Sequence, residues 1–124
     1  MYRLYDPQTH GFALAEYNPN AKSKHQHITI KPGSQLAAHE VDPGFIANQR
    51  TKLLENGNIV LRNNFYVVLN DISFTLSGSA AMVMARHPGT GANCWEHLQT
   101  GKSLGAVLNE QGQHVEDDGK EEFE

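Results

Sequence analysis

The chain has 124 residues, a formal net charge of −4 and one cysteine, Cys94. This length is typical of one domain and is enough to bury a hydrophobic core. A single cysteine excludes an internal disulfide framework and a zinc site made of cysteine clusters. No stretch approaches the ~20 apolar residues of a transmembrane helix, and the N-terminus lacks the apolar core of a signal peptide. We therefore expect a cytoplasmic protein without a membrane partner.

The negative charge is concentrated at the C-terminus. Residues 116–124 carry six acidic residues and one lysine, whereas the first 115 residues carry nine Lys or Arg and eight Asp or Glu. We predict a single, nearly neutral domain over residues 1–115 and an acidic, disordered tail over residues 116–124. A neutral body argues against strong sequence-independent DNA binding, which needs many cations to neutralise phosphates. It is compatible with a small anionic ligand.

The first forty residues favour strands and turns. Residues 12–17 form a short apolar stretch that ends at the turn-forming residues 18–20. Residues 25–31 then alternate, which places Ile28 and Ile30 on one face of a strand and Thr29 on the other. The pattern predicts a pair of strands.

A helix is predicted over about residues 43–55. Asp42-Pro43 is typical of a helix N-terminus, and Asn56-Gly57 supplies a left-handed stop. Two strands are predicted next, over residues 58–61 and 65–69, with Arg62-Asn63-Asn64 as the hairpin loop. Asn70-Asp71 then turns the chain again.

The second half of the chain predicts a second helix, one more strand and a short helical segment. The helix opens with Ser77-Gly78-Ser79 and runs to Arg86, because the proline and glycines just after it cannot continue a helix. Residues 94–98 are predicted as a strand and residues 104–108 as a short amphipathic segment. The fold class is therefore α+β, with a small antiparallel sheet, two main helices and a short C-terminal helical segment.

The start of the second helix is the candidate binding site for a phosphate or carboxylate. Free amides and hydroxyls at a helix N-terminus attract anions. Nearby cations, an amide and an aromatic ring could complete the site, with Phe74 or Tyr66 as further stacking rings. The candidate ligand-binding residues are Ser77, Gly78, Ser79, Arg62, Arg86, Asn93, Trp95 and Lys102. Two alternatives stay open: Ser77 serves only as the helix N-cap, and Trp95 is a core residue.

Other candidate chemistry has weaker support in the sequence. His25 and His27 share a strand face, a spacing that binds a metal only when further ligands arrive from elsewhere. Cys94 and His97 lie three residues apart on the predicted strand, so their side chains would point to opposite faces and could not exchange a proton. We therefore predict no catalytic residue, no metal site and no cofactor.

Five short segments, in order, resemble a known family. They are residues 27–37, an apolar strand ending in Lys31-Pro32-Gly33-Ser34; the helix of residues 49–57; Phe74-Thr75-Leu76-Ser77-Gly78-Ser79-Ala80-Ala81; Asn93-Cys94-Trp95; and Gly101-Lys102-Ser103-Leu104. Together they resemble domain of unknown function number 4357, which is related to the RAMA domain (restriction enzyme and adenine methylase associated). The resemblance covers about residues 27–108. Gly78 stands where the family has proline, and Cys94 where it has glycine.

The resemblance implies a recognition module and not an enzyme, because family members are often appended to GIY-YIG nucleases or to restriction and methylation proteins. The GIY-YIG motif itself is not in this sequence. The leading hypothesis is recognition of nucleic acid, including modified DNA, in a restriction, repair or mobile-element setting. The alternatives are a protein that binds or sequesters a nucleotide or another phosphorylated small molecule, such as a phage anti-defence protein, and a protein-interaction module. A homo-oligomer is compatible with the small size and the exposed strands.

Overall fold

The computed structural model describes residues 1–39, 44–86 and 91–111. Strands and helices alternate irregularly along the chain. The strands are β1 (Tyr2–Tyr5), β2 (Phe12–Tyr17), β3 (Ile28–Ile30), β4 (Gln35–Ala37), β5 (Ile59–Arg62), β6 (Phe65–Val68), β7 (Ile72–Phe74) and β8 (Glu96–His97). The helices are α1 (Phe45–Glu55), α2 (Leu76–Met84) and α3 (Leu104–Glu110). This is the predicted α+β fold with an antiparallel sheet.

All the strand pairs of the sheet are antiparallel. The order across the sheet is β5-β6-β4-β2-β1-β8, and β3 pairs with β2 and with β7. β1 occupies one edge of β2 along residues 12–15, so β3 and β4, which pair with Ala15 and Phe12, share the other edge. The predicted pairing of the first apolar stretch with the following strand is confirmed by the β2–β3 ladder.

The two faces of the sheet have different environments. One face, with Leu4, Ala13, Ile30 and Leu36, is fully or almost fully buried and belongs to the hydrophobic core together with α2. Side chains alternate between the two faces along a strand, so the residues next to these four point to the opposite face. On that opposite face Tyr5 and Phe12 pair across β1 and β2 and are 54% and 38% exposed, respectively.

Helix α2 is the central element of the core. Eight of its residues, from Leu76 to Val83, are buried, and its small residues let it approach β3 and β4 closely. A helix that is apolar on all sides is expected only when it is surrounded by protein. Trp95 lies in the same core and is 0% exposed, so the interpretation of Trp95 as a core residue is confirmed.

Several predicted boundaries need correction. α1 begins at Phe45, and the predicted start at residues 42–43 lies outside the described residues. α2 ends at Met84 and not at Arg86, because Ala85 takes the left-handed conformation with φ 58°. The predicted strand over residues 94–98 is reduced to two residues, since a 3₁₀ turn over residues 91–93 precedes it and Cys94 follows that turn. The strands β1, β4 and β7 were not assigned from the sequence.

Candidate ligand pocket

The N-terminus of α2 does not offer the open amides that the sequence suggested. Ser77, Gly78 and Ser79 are buried. The helix N-cap is Thr75 and not Ser77, and its hydroxyl accepts a hydrogen bond of 2.9 Å from the Gly78 amide. The Ser79 amide donates to the Thr75 carbonyl over 3.0 Å. The expectation of amides open to an anion is therefore wrong for Gly78 and Ser79.

The Ser79 hydroxyl is also used inside the protein. It donates to the Leu76 carbonyl over 2.7 Å and accepts from the indole Nε1 of Trp95 over 2.9 Å. Ser79 and Trp95 are both 0% exposed. Buried polar groups need such partners, so this pair stabilises the core. Trp95 cannot serve as a stacking platform for a ligand in this arrangement.

Arg86 has a partner far from the N-terminus of α2. It lies beyond the C-terminal end of the helix, and its two terminal guanidinium nitrogens, Nη1 and Nη2, donate to the Asp6 carboxylate over 2.5 and 2.9 Å. The Asp6 side chain is 1% exposed and also accepts a bond of 2.6 Å from the Thr9 hydroxyl. The hydrogen bonds from Arg86 lower the pKa of Asp6 to about 2, so the carboxylate stays charged at neutral pH.

The remaining predicted residues do not converge with these. Arg62 is exposed and pairs with Phe65 in the β5–β6 hairpin, on the sheet face opposite to α2. The Lys102 ammonium forms an exposed ion pair of 2.7 Å with Glu110. The Asn93 side chain packs against Gly105, where an added Cβ would lie 2.3 Å from its Oδ1. The structure therefore does not bring the predicted set together into one site.

A pocket lies instead at one end of the sheet. Its volume is about 590 Å³, and it is formed where β4 ends, where the β5–β6 hairpin turns and where β1 connects to β2. That volume is in the range of small-molecule sites, about 300–1,000 Å³. The pocket is lined by Gln8, Thr9, Ala37, Ala38, His39, Leu61, Asn63, Asn64, Phe65 and Tyr66.

The hairpin turn explains why two amide side chains meet at the pocket. Asn63 and Asn64 form the two-residue connection between β5 and β6, with φ of 49° and 68°. Two successive positive φ angles define the turn that matches the twist of a hairpin, and asparagine tolerates this conformation better than most residues. The same sequence signal that predicts the hairpin therefore places two hydrogen-bonding side chains at its tip.

The connection between β1 and β2 is fixed in a similar way. The Asp6 carboxylate accepts from the backbone amide of Gln8 over 3.3 Å and from the Thr9 hydroxyl. The backbone amide of Asp6 donates to the Gly11 carbonyl over 2.9 Å. The ion pair with Arg86 attaches this connection to the end of α2. Gln8 and Thr9 are thereby held at the pocket wall.

A buried arginine stands behind the pocket. Arg50, on α1, is 8% exposed, and its guanidinium donates to the carbonyls of Ala37 and His39. Its Cζ lies 4.9 Å from the centre of the Tyr66 ring, a cation–π contact. Within the described residues no carboxylate pairs with it, and its Nε is buried without a hydrogen-bond partner. Burial lowers the pKa of Arg50, but a guanidinium keeps its charge in proteins.

These groups can recognise a planar, polar ligand. The lining includes two aromatic residues, Phe65 and Tyr66, and three residues with side-chain amides, Gln8, Asn63 and Asn64, and the Arg50 guanidinium lies against the Tyr66 ring. Tyr66 is a predicted stacking residue that lines this pocket, and the other lining residues have no predicted role in binding. The Asn63-Asn64 pair predicts only a turn, and nothing in the sequence shows that α1 places Arg50 behind Tyr66.

The described residues contain no cluster suited to a metal ion, and the environment of Cys94 does not activate its thiol. No group of three or more His, Cys, Asp or Glu side chains with metal-binding geometry occurs among residues 1–39, 44–86 and 91–111. Burial raises the pKa of the Cys94 thiol, which disfavours the nucleophilic thiolate. The helices that the structure describes are all too short or too polar to span a bilayer.

Comparison with known proteins places the chain in a family. No curated protein and no solved structure matches it. The family model described as "Domain of unknown function (DUF4357)" matches residues 12–108, from the first residue of β2 into α3. The matched segment includes β4, the β5–β6 hairpin and α1, and hence most of the pocket. Since this match covers most of the sequence, the chain belongs to the DUF4357 family.

Proposed function

We propose that this chain is a non-enzymatic recognition module that binds nucleic acid, and that the pocket at the end of the sheet receives one of its bases. The observation that supports the proposal is one cavity whose lining residues include two aromatic residues, Phe65 and Tyr66, together with Gln8, Asn63 and Asn64. Aromatic rings stack on any base, and Asn or Gln amides can hydrogen-bond to base edges. A cavity of about 590 Å³ has room for one unpaired or flipped nucleotide.

Modified DNA is the preferred form of this ligand. The relation of the DUF4357 family to the RAMA domain, which the resemblance implies, supports that choice, and a pocket at strand ends can accommodate a base together with an added methyl group. A protein that reads a flipped base gains selectivity when the base is damaged, mismatched or unpaired, because unstacking then costs less. We therefore expect tighter binding to strands whose target base is accessible than to an unmodified duplex.

The test is fluorescence anisotropy with labelled duplexes and single strands, each with and without a modified base, across a salt series. We expect binding with a shallow salt dependence, because the domain is nearly neutral and neutralises few phosphates. A scrambled duplex of the same length is the control for sequence-independent binding. Failure of every duplex and every single strand to bind at low salt would refute the proposal.

A second candidate function is binding or sequestration of a free nucleotide. The near-neutral body favours it, since a mononucleotide requires few cations whereas a duplex requires many. A thermal-shift panel of nucleotides separates the two functions. A nucleotide present at ~100 times its dissociation constant would stabilise the protein by about 2.7 kcal/mol. Stabilisation by a nucleotide, without binding of oligonucleotides, would favour this second function.

A further inference from the structure

We call the sheet face opposite to α2 the open face, and it includes Tyr5, Phe12 and Arg62. We propose that a single nucleic acid strand with one base in the pocket continues over the open face, where a flanking base stacks on Tyr5 and Phe12. This inference rests on the proposed function and adds a second binding surface to it. It depends on the aromatic pair, on the charge of Arg62 and on the continuity of the face with the pocket.

One row of side chains crosses the open face from β1 to β5. Residues directly opposite each other in an antiparallel pair point to the same face, so successive pairs align their side chains across the sheet. The row consists of Tyr5, Phe12, Gln35, Val67 and Val60. The first three are exposed and the two valines are half-buried. The row is therefore accessible to a partner.

Tyr5 and Phe12 form the aromatic end of this row. A hydrogen bond of 2.8 Å joins the Tyr5 hydroxyl to Nδ1 of His10 and holds the exposed ring in place. A side chain that is already fixed loses less conformational entropy when it binds a ligand. Aromatic rings stack on bases of any sequence, because every base has a π-face. The pair therefore offers ring surface on which a base can stack.

The open face continues into the pocket. Phe65 pairs with Ala37, two residues along from the pair of Gln35 with Val67, so it belongs to the same face. Phe65 and Ala37 both line the pocket. With a strand spacing of about 4.8 Å and a rise of about 3.3 Å per residue, Phe65 and Phe12 are about 12 Å apart along the sheet. A strand with one base in the pocket therefore reaches Phe12 with a nearby nucleotide.

The charges of the open face favour a polyanionic strand. Arg62, at the end of β5, is exposed, and its guanidinium has no ion pair or hydrogen bond within the described part of the chain. The row of five contains no acidic residue. Farther from the pocket, Glu96 pairs with Arg3 over 2.8 Å. Glu16 lies 3.8 Å from the Lys31 ammonium. The half of the face next to the pocket therefore carries an unpaired cation beside aromatic rings, which matches a phosphate beside a base.

A single strand fits the open face better than a duplex or a protein. The bases of a duplex are stacked on each other and cannot stack on Tyr5 or Phe12. A protein–protein interface has an apolar centre, whereas the exposed Gln35 stands in the middle of this row. A glutamine amide can instead hydrogen-bond to a base edge. The occupant that matches all these groups is a single strand.

The experiment is titration calorimetry of the full chain with homopolymeric deoxyoligonucleotides of each base, from one to six nucleotides long. We expect the affinity to rise about tenfold once the oligonucleotide extends from the pocket to Tyr5 and Phe12, the gain typical of one base stacked on an aromatic side chain. If mononucleotides bind and longer strands bind no more tightly, the open-face site is refuted and the pocket of the proposed function stands.

A pair of double variants tests the aromatic rings. Tyr5→Thr/Phe12→Thr removes both rings and keeps a residue that favours strands. Tyr5→Phe/Phe12→Tyr keeps both rings and is the matched control. We expect the threonine variant to lose the tenfold gain with length and to bind mononucleotides as wild type does, while the control keeps the gain. Equal affinities of the two variants for the longest oligonucleotide would overturn the inference. Weaker mononucleotide binding by the threonine variant would also overturn it, since the substitutions would then act through the pocket.

Arg62→Gln tests the phosphate contact without removing a ring. Loss of one phosphate contact to a single strand lowers the slope of log affinity against log salt by about 0.7. Lys22→Gln is the control, because Lys22 is an exposed cation on the connection between β2 and β3. An unchanged slope for Arg62→Gln would contradict the path of the strand over the open face.

Sedimentation equilibrium tests whether a second copy covers the open face instead. We expect wild type and the threonine variant to have the same mass. A wild-type dimer that becomes a monomer in the threonine variant would overturn the inference. If neither mononucleotides nor oligonucleotides bind wild type, the proposed function fails, and the inference fails with it.

Discussion

At the scale of single residues, the ion pair of Asp6 with Arg86 connects the pocket to the core. The carboxylate is buried and bound at 2.5 and 2.9 Å, and its pKa is lowered from 3.8 to about 2, chiefly by the hydrogen bonds from Arg86. When folding lowers the pKa of a carboxyl group, that group stabilises the folded state at a pH above its unfolded-state pKa. The contribution is lost as the pH falls through the folded-state pKa. We therefore expect a contribution of about 2 kcal/mol at pH 7, lost between about pH 4 and pH 2.

Urea unfolding of wild type and Asp6→Asn at pH 7 and near pH 2 measures this contribution. The variant should be about 2 kcal/mol less stable at pH 7, and the difference should shrink at the lower pH. Glu96→Gln is the matched control, because the Arg3–Glu96 pair of 2.8 Å is exposed and is expected to contribute less than about 1 kcal/mol. An Asp6 effect that does not change with pH would contradict this assignment.

At the scale of elements, the 3₁₀ turn over residues 91–93 packs directly against the N-terminus of α2. A Cβ added at Gly91 would lie 2.4 Å from the backbone of Leu76 and Ser77. We expect Gly91→Ala to destabilise the fold by about 3 kcal/mol, because neither backbone segment can move without loss of packing. Thermal unfolding checks this value.

The control for Gly91 is a glycine in open space. Gly57 has φ 74° and nothing within 4 Å of an added Cβ, and asparagine tolerates that conformation. Gly57→Asn should therefore cost less than about 1 kcal/mol. If Gly91→Ala is no more destabilising than Gly57→Asn, the close contact with α2 is not present in solution.

The elements that could be predicted from the sequence are those whose signals are local. The alternation around Ile28, the stop at Gly57 with φ 74° and the hairpin turn each depend on neighbours in the sequence, although the predicted loop of residues 62–64 shortens to residues 63–64 because Arg62 pairs with Phe65. The strands β1, β4 and β7 have three or four residues each, too few to show a period, and they exist because β2, β6 and β3 pair with them. The existence of β1, β4 and β7 is therefore determined by pairing with other strands of the sheet and not by their own sequence pattern.

The candidate site shows the same division between local and tertiary information. Ser77 to Ser79 were predicted to bind an anion because a helix start has free amides, but burial by the fold removes that possibility. The pocket is assembled from three connections that are distant in sequence, and its cation arrives from α1. A sequence pattern can identify the Asn63-Asn64 turn but not which segments the sheet brings next to it.

At the scale of the whole molecule, the described residues form a packed core on one face of the sheet and a pocket at one end of it. The helices and the buried tryptophan fill one face, and this packing consumes the polar groups of α2. The strand ends next to the β5–β6 turn surround a cavity whose described lining has polar residues and no acidic residue. The central claim is that this end of the sheet, and not the N-terminus of α2, binds the ligand.

The most direct test of that claim is the affinity of the double variant Asn63→Gly/Asn64→Gly for the oligonucleotide or nucleotide that binds wild type. Glycine adopts positive φ without strain, so the variant keeps the turn and loses only the two amide side chains. Asn109→Ala, exposed on α3, is the matched control. Titration calorimetry should give an affinity at least about tenfold lower for the double variant, as expected for two lost hydrogen bonds, and an unchanged affinity for the control. Wild-type affinity in the double variant would contradict the account.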